Sequence, residues 1–301
     1  MIKVTVATDD EGRIDKALAK HFPDAGRRQL AELFDAGLIR LRGKRAKKGD
    51  RVVAGDVIEL EREPVSGDAL RPLPDADVPI EILLERPDVV VLNKPAGIPS
   101  QPLRAGERGT VANAIVSRWP ECATIGDDAR DGGLVHRLDI GTSGAIIAAR
   151  NEATYRALRE AFGQGLVEKE YVAITDARPV SRDSDAPLAQ RGDHVRVDHT
   201  DGLPAYTAFT VERANDLHAL VRCAAQTGRM HQVRAHLAHV GAPIAGDALY
   251  GGKPLGDLQG FLLHAAKIGF PLAGEKIVVE APLPQRFREA LAIAGLRDVA
   301  E

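Results

Sequence analysis

Beyond residue 79 the chain carries many short apolar runs and few helical ones, which limits its fold more than any single motif does. Residues 80–84, 89–92, 169–174, 205–211 and 217–223 are strand-like. Helical spacing appears at 110–119, ended by Pro120, and at 152–162, where Asn151 is a good N-cap. A third helix is predicted over 229–240, with Val233, Leu237 and Val240 inward. Many strands with few helices between them predict an α+β domain with a mixed or antiparallel sheet. No internal repeat is visible.

Within that domain, Gly132-Gly133-Leu134-Val135-His136-Arg137-Leu138-Asp139-Ile140-Gly141-Thr142-Ser143-Gly144 is the organising stretch. Leu134, Val135 and Leu138 predict a short buried strand, Gly141 to Gly144 a turn, and residues 145–149 are apolar again. Asp139 thus stands where a strand runs out into a turn, a place that presents a carboxylate at a pocket mouth. Alternate residues of a strand share a face, so Arg137 and Asp139 point one way and His136 and Leu138 the other. For an isolated Asp, a turn cap with a surface arginine partner is the better reading.

The first 60 residues have a different character. Residues 13–21, with Ile14, Ala17 and Leu18, and 27–36, with Leu30, Leu33 and Phe34, read as two helices, and Gly37 stops the second. Strands follow at 38–41, 52–53 and 57–60. The formal net charge is −3, yet between Arg40 and Arg51 seven basic residues face one acid, Asp50. A basic segment on an acidic body is a localised electrostatic footprint, unless it is only a solvated face. Residues 63–79, with Pro64, Gly67, Pro72, Pro74 and Pro79, predict a stiff linker. The expected domains are therefore 1–62, the linker 63–79, and 80–301. Two distant cysteines, Cys122 and Cys223, fit a reducing compartment, and no apolar run reaches the length of a membrane span. A cytoplasmic monomer without membrane contact is expected.

His136-Arg137-Leu138-Asp139 followed by Thr142-Ser143-Gly144 resembles the central signature of the RluA-type pseudouridine synthases. Leu92-Asn93-Lys94-Pro95-Ala96-Gly97, Lys169-Glu170-Tyr171-Val172-Ala173 and Thr227-Gly228-Arg229-Met230-His231-Gln232-Val233-Arg234 resemble further family segments, in the family's order. So do Gly246-Asp247 with Tyr250-Gly251, and Leu262-Leu263-His264-Ala265. The resemblance implies Asp139 as the catalytic carboxylate, paired with Arg234. It implies Tyr171 stacked on the uracil and Leu263 on the base's other face. Whether Asp139 attacks the sugar or removes a ribose proton stays open. Arg137 would fill the space left by a flipped uridine, and Arg229, His231 and Gln232 would face RNA.

Residues 1–62 resemble the small RNA-binding domain (alpha-L type) first described in a small-subunit ribosomal protein, although Gly26 stands where a capping Ser is usual. Arg27, Arg28, Lys44, Arg45, Lys47 and Lys48 are its expected phosphate contacts. The implied partner is structured RNA, with large-subunit ribosomal RNA ahead of transfer RNA. The implied chemistry needs no cofactor and no metal.

Three rival readings are weaker. His231, His236, His239 and His264 cluster in sequence, but not at the spacing of a zinc hydrolase. Asp139-Ile140-Gly141-Thr142 echoes the loop of haloacid-dehalogenase phosphotransferases, yet Ile140 stands where that loop needs a second acid. A catalytically dead RNA-binding protein would not need an intact Asp139, Tyr171 and Arg234. The loop 98–102, Ile-Pro-Ser-Gln-Pro, replaces the His-Pro pair of most family members and puts their contact from this loop in question.

Overall fold

Val89, Val90, Val91 and Leu92 leave no polar face for water, and all four are buried in a mixed sheet that counts nine strands among the described residues. The computed structural model describes residues 1–301 except 24, 26, 65–66 and 298–301, and the side chains of 27–29, 32, 67 and 68 are likewise outside the description. Two compact units emerge: Met1–Arg71 with Leu103–Glu107 and Asp128–Arg130, and the remainder of the chain.

In the larger unit the sheet runs Asp183–Ser184, Thr207–Ala214, Ala219–Ala225, Glu168–Thr175, Leu263–Leu272, Ser143–Ala149, Val89–Lys94, Glu81–Glu85. Glu275–Glu280 adds to Leu263–Leu272, continuing the edge that Ser143–Ala149 occupies at the other end. Every pairing is antiparallel except that of Leu263–Leu272 with Ser143–Ala149. This is the α+β architecture that the strand-rich pattern predicts. Both faces are covered, which is why the valine run need not alternate with polar residues. Val89 and Val91 pack with Leu158 of the helix Glu152–Gly163, whereas Val90 and Leu92 pack with Ile115 of the helix Val111–Arg118.

The parallel contact is short, with His264 opposite Ser143 and Ala265 opposite Gly144. At Gly144, φ is +114°, and an added Cβ would lie 2.2 Å from the Ala265 carbonyl oxygen. Only glycine lets the two backbones approach this closely, and the approach brings the organising stretch against the strand that carries Leu263.

Three local expectations are corrected. Residues 134–138 do not form a strand: Leu134 makes one bridge to Ala148 and the Val135 N–H donates to Ile147 O, but the ladder then stops. The cause is His136, whose Nε2 accepts the Ile147 N–H at 3.0 Å and so stands in for a backbone carbonyl. The third helix is Gln232–His239 rather than 229–240, because His231 adopts a left-handed φ of 52° just before it. The strands expected at 205–211 and 217–223 lie at Thr207–Ala214 and Ala219–Ala225. Within the proline-rich stretch, the Leu73 carbonyl accepts from Asn113 Nδ2 at 2.7 Å and the Pro74 carbonyl from Arg108 Nη1 at 2.6 Å. That part of the chain therefore lies along the larger unit.

The smaller unit packs helices Ile14–His21 and Arg27–Asp35 on a sheet ordered Ile2–Thr5, Val57–Leu60, Ile39–Leu41, Lys44–Arg45. Ile14, Leu18, Leu30, Leu33, Phe34, Ile39, Ile58 and Leu60 form its core. The strand Ile2–Thr5 was not expected; Val4 is its one buried position, and Val6 follows just beyond its end. Among the described residues no helix is long and apolar enough to cross a membrane.

Candidate active site

The turn carrying Asp139 is fixed from one side by the loop after Val89–Lys94. Lys94 is wholly buried, and its Nζ donates to the carbonyls of Pro95, Ile140 and Thr142 at 3.0, 3.0 and 2.7 Å. Three acceptors use all three hydrogens of an ammonium group. Burial pulls Lys94 down to about 8, with the Asp139 charge acting in the opposite sense. Gly97 N–H adds a bond to Ile140 O at 2.7 Å. Ser100 Oγ, in the loop that departs from the family pattern, donates to Leu138 O at 2.9 Å and accepts from Leu138 N at 3.1 Å. The unusual loop therefore grips the backbone beside Asp139.

On the other side stands Arg234, from the helix Gln232–His239. Its Nη1 donates to Asp139 Oδ2 at 3.0 Å, while Nε and Nη2 form a fork on Asp247 at 2.7 and 2.9 Å. Arg234 and Asp247 side chains are 6% and 1% exposed, but Asp139 is 25% exposed. The inner pair is thus a fixed support and the outer carboxylate is the reachable group. Aromatic rings hold the guanidinium in plane: its carbon lies 4.2 Å from the Phe261 ring centroid and 5.0 Å from that of Tyr250. Gly141 lets the turn reach Phe261, since a Cβ there would sit 2.7 Å from the ring.

His231 and Tyr250 extend the network. Tyr250 Oη accepts the Val195 N–H at 3.1 Å and lies 3.0 Å from His231 Nδ1. With the hydroxyl donating to Nδ1, the ring hydrogen sits on Nε2, 3.8 Å from Asp139 Oδ2. Burial holds His231 below the usual histidine range, against the pull of Asp139. Tyr171, on the strand Glu168–Thr175, is partly buried; burial first, and then the Asp139 charge, push its hydroxyl well above the usual tyrosine value.

The structure thus gathers Asp139, Arg234, Tyr171 and His231. Arg137 is exposed, two residues before Asp139 in sequence, but without the strand expected at 134–138 the shared face with Asp139 does not follow; Arg229 is exposed with Nε donating to Pro204 O at 3.0 Å. Gln232 corrects an expectation. It is 4% exposed, its amide donates to Tyr206 O and Thr207 Oγ1, and its oxygen accepts from Thr227 Oγ1 and Arg229 N. Every group it could offer RNA is used inside the protein. Leu263 is 4% exposed in the core with Val233 and Leu237, so it offers a base little surface.

His236 is bound to Thr207 Oγ1 and Ala186 O, and His264 to Ser143 Oγ and Ala281 O. Among the described residues no three His, Cys, Asp or Glu side chains are grouped as metal ligands. In the smaller unit Lys44, Lys47 and Lys48 are exposed, while Arg45 donates to Asp35 O at 2.7 Å. Gly26 and the side chains of Arg27 and Arg28 lie outside the described residues.

Sequence reasoning missed Lys94, Asp247 and Phe261 as parts of this site. A lysine closing a strand that opens with four apolar residues was a signal for the first. Asp247 stood in a matched segment without an assigned partner. Nothing local singled out Phe261.

Residues 88–239 match the family model described as RNA pseudouridylate synthase. The chain is 35% identical over 245 residues to the ribosomal large subunit pseudouridine synthase D of Xylella fastidiosa, covering 80% of this chain and 72% of that one. It is 33% identical over 300 residues to an RNA pseudouridine synthase of Bacillus subtilis, covering 96% and 97%. The solved structure of human RNA pseudouridylate synthase domain containing 4 shares the fold, with a TM-score of 0.58 at 23% identity over 71% of this chain and 92% of that one. With a turn that presents a supported carboxylate inside the matched region, the chain belongs to the RNA pseudouridylate synthase family, of the RluA type, and is an RNA pseudouridine synthase.

Proposed function

We propose that this enzyme isomerises uridines of structured large-subunit ribosomal RNA, with Asp139 as the reacting carboxylate. The RNA class is supported by relatives such as the ribosomal large subunit pseudouridine synthase D of Xylella fastidiosa. The observation that carries the role of Asp139 is its geometry: a quarter-exposed carboxylate bonded to a guanidinium that a buried acid holds from behind.

Pseudouridine formation breaks the bond between uracil N1 and ribose C1′, turns the uracil, and joins C1′ to C5, with the C5 proton lost and a proton gained at N1, so that the product is an isomer. A carboxylate can start this by adding to the sugar or by taking a ribose proton, and both routes use the same oxygen atoms. Arg234 supplies a fixed positive charge beside Asp139, already aimed before substrate arrives. Tyr171, kept neutral by burial, offers a ring for the uracil to stack on and a hydroxyl that still holds its proton. The Nε2–H of His231 is a donor near the reacting oxygen. Leu263 supports the apolar side of the pocket from within the core.

A uridine must leave its stack before it reaches Asp139, at a cost of a few kcal/mol. Arg137 is exposed one residue pair away and takes the place of the displaced base, while Arg229 and His231 contact the RNA. Lys44, Arg45, Lys47 and Lys48, with Arg27 and Arg28, supply sequence-independent grip.

Asp139→Asn keeps the shape and removes the reacting charge. It is expected to abolish isomerisation of transcribed large-subunit RNA, read base by base, and to leave RNA affinity nearly unchanged. Turnover by clean Asp139→Asn protein overturns the assignment of the carboxylate. A pseudouridine map of ribosomal RNA that is identical in cells with and without the gene overturns the RNA class.

A further inference from the structure

Lys169 lies two residues before Tyr171 on the strand Glu168–Thr175 and has no counter-ion among the described residues. Its one hydrogen bond runs from Nζ to the Thr227 carbonyl at 3.0 Å, and its Nζ is 5.8 Å from the centroid of the Phe162 ring. The next residue in the loop, Gly228, passes close by, since an added Cβ there would lie 3.7 Å from Nζ, in van der Waals contact. An ammonium group has three hydrogens, so two remain to be placed.

The surrounding charges are of the same sign. Arg229, in the same loop, repels Lys169, and burial with this repulsion draws the lysine down to about 8. Arg159 comes from the helix Glu152–Gly163; its Nη1 donates to Val135 O at 3.0 Å and its Nε stands 3.7 Å from Asp127 Oδ2. His136 is held neutral, down to about 3, by burial and then by Lys169 and Arg159. The acids of the strand itself are committed elsewhere: Glu168 to Lys276 at 2.6 Å and Glu170 to Arg222 at 2.5 Å. Three cations therefore converge where one carboxylate, Asp127, meets only the outermost of them. A half-buried charge in such surroundings is unfavourable until an anion joins it.

We propose that Lys169 and Arg229 form a pocket for a phosphodiester group of the bound RNA, next to the reacting nucleotide. Position supplies the second argument. Tyr171 is two residues further along the same strand, about 7 Å, and His231, two residues after Arg229, stands 3.8 Å from Asp139 Oδ2. A phosphate seated at Lys169 is thus within one nucleotide of a uracil at Tyr171. The pocket sets the register of the chain that enters the site, and Arg159 adds to its field from behind. This rests on the RNA reaction of the family and not on the choice of ribosomal RNA.

The test uses the full-length protein and a fluorescent oligouridylate, with affinity measured across salt and pH. Lys169→Met keeps the aliphatic stem and should reduce the log–log salt slope by about 0.7, the value for one phosphate contact on a single strand. Affinity should fall severalfold at low salt, and Lys169→Arg should keep the wild-type slope. Wild-type affinity should also decline as pH rises through about 8, where free Lys169 loses its proton, and Lys169→Met should lack that decline. Lys276→Met, which removes an exposed lysine already paired with Glu168, should leave the slope unchanged. Should Lys169→Met fail to fold, Arg229→Gln is expected to show the same loss of slope. Weaker binding with an unchanged slope and an unchanged pH profile would make the Thr227 tether a packing contact and overturn the pocket. A reduced slope with no ribosomal pseudouridine would leave the pocket standing and remove only the ribosomal assignment.

Discussion

Neutralising Asp247 should uncouple the guanidinium from the carboxylate it supports. Two of the three charge-assisted bonds of Arg234 end on Asp247, and both side chains are almost fully out of water. Removing one partner of a buried pair costs about 3–5 kcal/mol, because the remaining charge is left uncompensated. Asn keeps the shape and one acceptor, and Asp139 still faces Nη1, so Asp247→Asn belongs at the lower end, about 3 kcal/mol. For a unit of this size that corresponds to a fall of roughly 6–12 °C in Tm. The catalytic loss should be larger than stability alone explains. Arg234 would lose one arm of its fork and the charge behind it, and a shift of about 1 Å can cost about a hundredfold in rate. Calorimetry and single-turnover kinetics at saturating RNA measure the two effects separately. The double variant Arg234→Met with Asp247→Leu replaces the pair by apolar groups and should regain most of the lost Tm while remaining inactive. Full single-turnover rate in Asp247→Asn, whatever its Tm, would refute the idea that this buried acid positions the arginine for chemistry.

Three further outcomes are expected. Lys94→Met removes the donor to the carbonyls of Pro95 and Thr142, leaves Ile140 O with only the Gly97 N–H, and should lower Tm at neutral pH. Since folding lowers Lys94 from 10.5 to about 8, the unfolded chain binds the extra proton between those values, and the stability contributed by this lysine rises with pH there. The difference between wild-type and Lys94→Met stability should change across that window, and a flat difference curve would count against the buried charge. Replacing Lys44, Lys47 and Lys48 by Gln together should lower the salt slope of binding to structured RNA by about 2–3, with turnover at saturating RNA unchanged; an unchanged slope would mark these lysines as a merely solvated face. Exhaustive chelation should leave the rate unaltered, because the carboxylate chemistry proposed uses no metal, and loss restored by zinc or magnesium would revive the hydrolase or phosphotransferase reading.

Much of the fold was legible because its signals are local. The helix after Asn151 begins where that residue's side chain accepts the Thr154 N–H, and the valine run at 89–92 could only be a strand with both faces covered. Boundaries failed where a side chain replaced a backbone partner. His136 is an ordinary residue by pattern, yet it takes the Ile147 N–H and ends a ladder that the apolar spacing would continue. The helix start at Gln232 shifted because a left-handed His231 has no signature in periodicity.

The site divides in the same way. Asp139, Tyr171 and Arg234 could be nominated from short motifs, because a catalytic group travels with the backbone that presents it. What supports them could not. Arg234 meets Asp139 across 95 positions, Lys94 meets Thr142 across 48, and Phe261 stacks on Arg234 through a turn that only Gly141 keeps thin. Gln232 looked as available to RNA as its neighbours until burial committed its amide inward. By itself the sequence determined the strand-rich class, the family and the reacting carboxylate's candidate, since those depend on spacing along the chain. Only the tertiary structure decided which charges are paired, buried or left exposed, since a charge's behaviour depends on what packs around it and not on its neighbours in sequence.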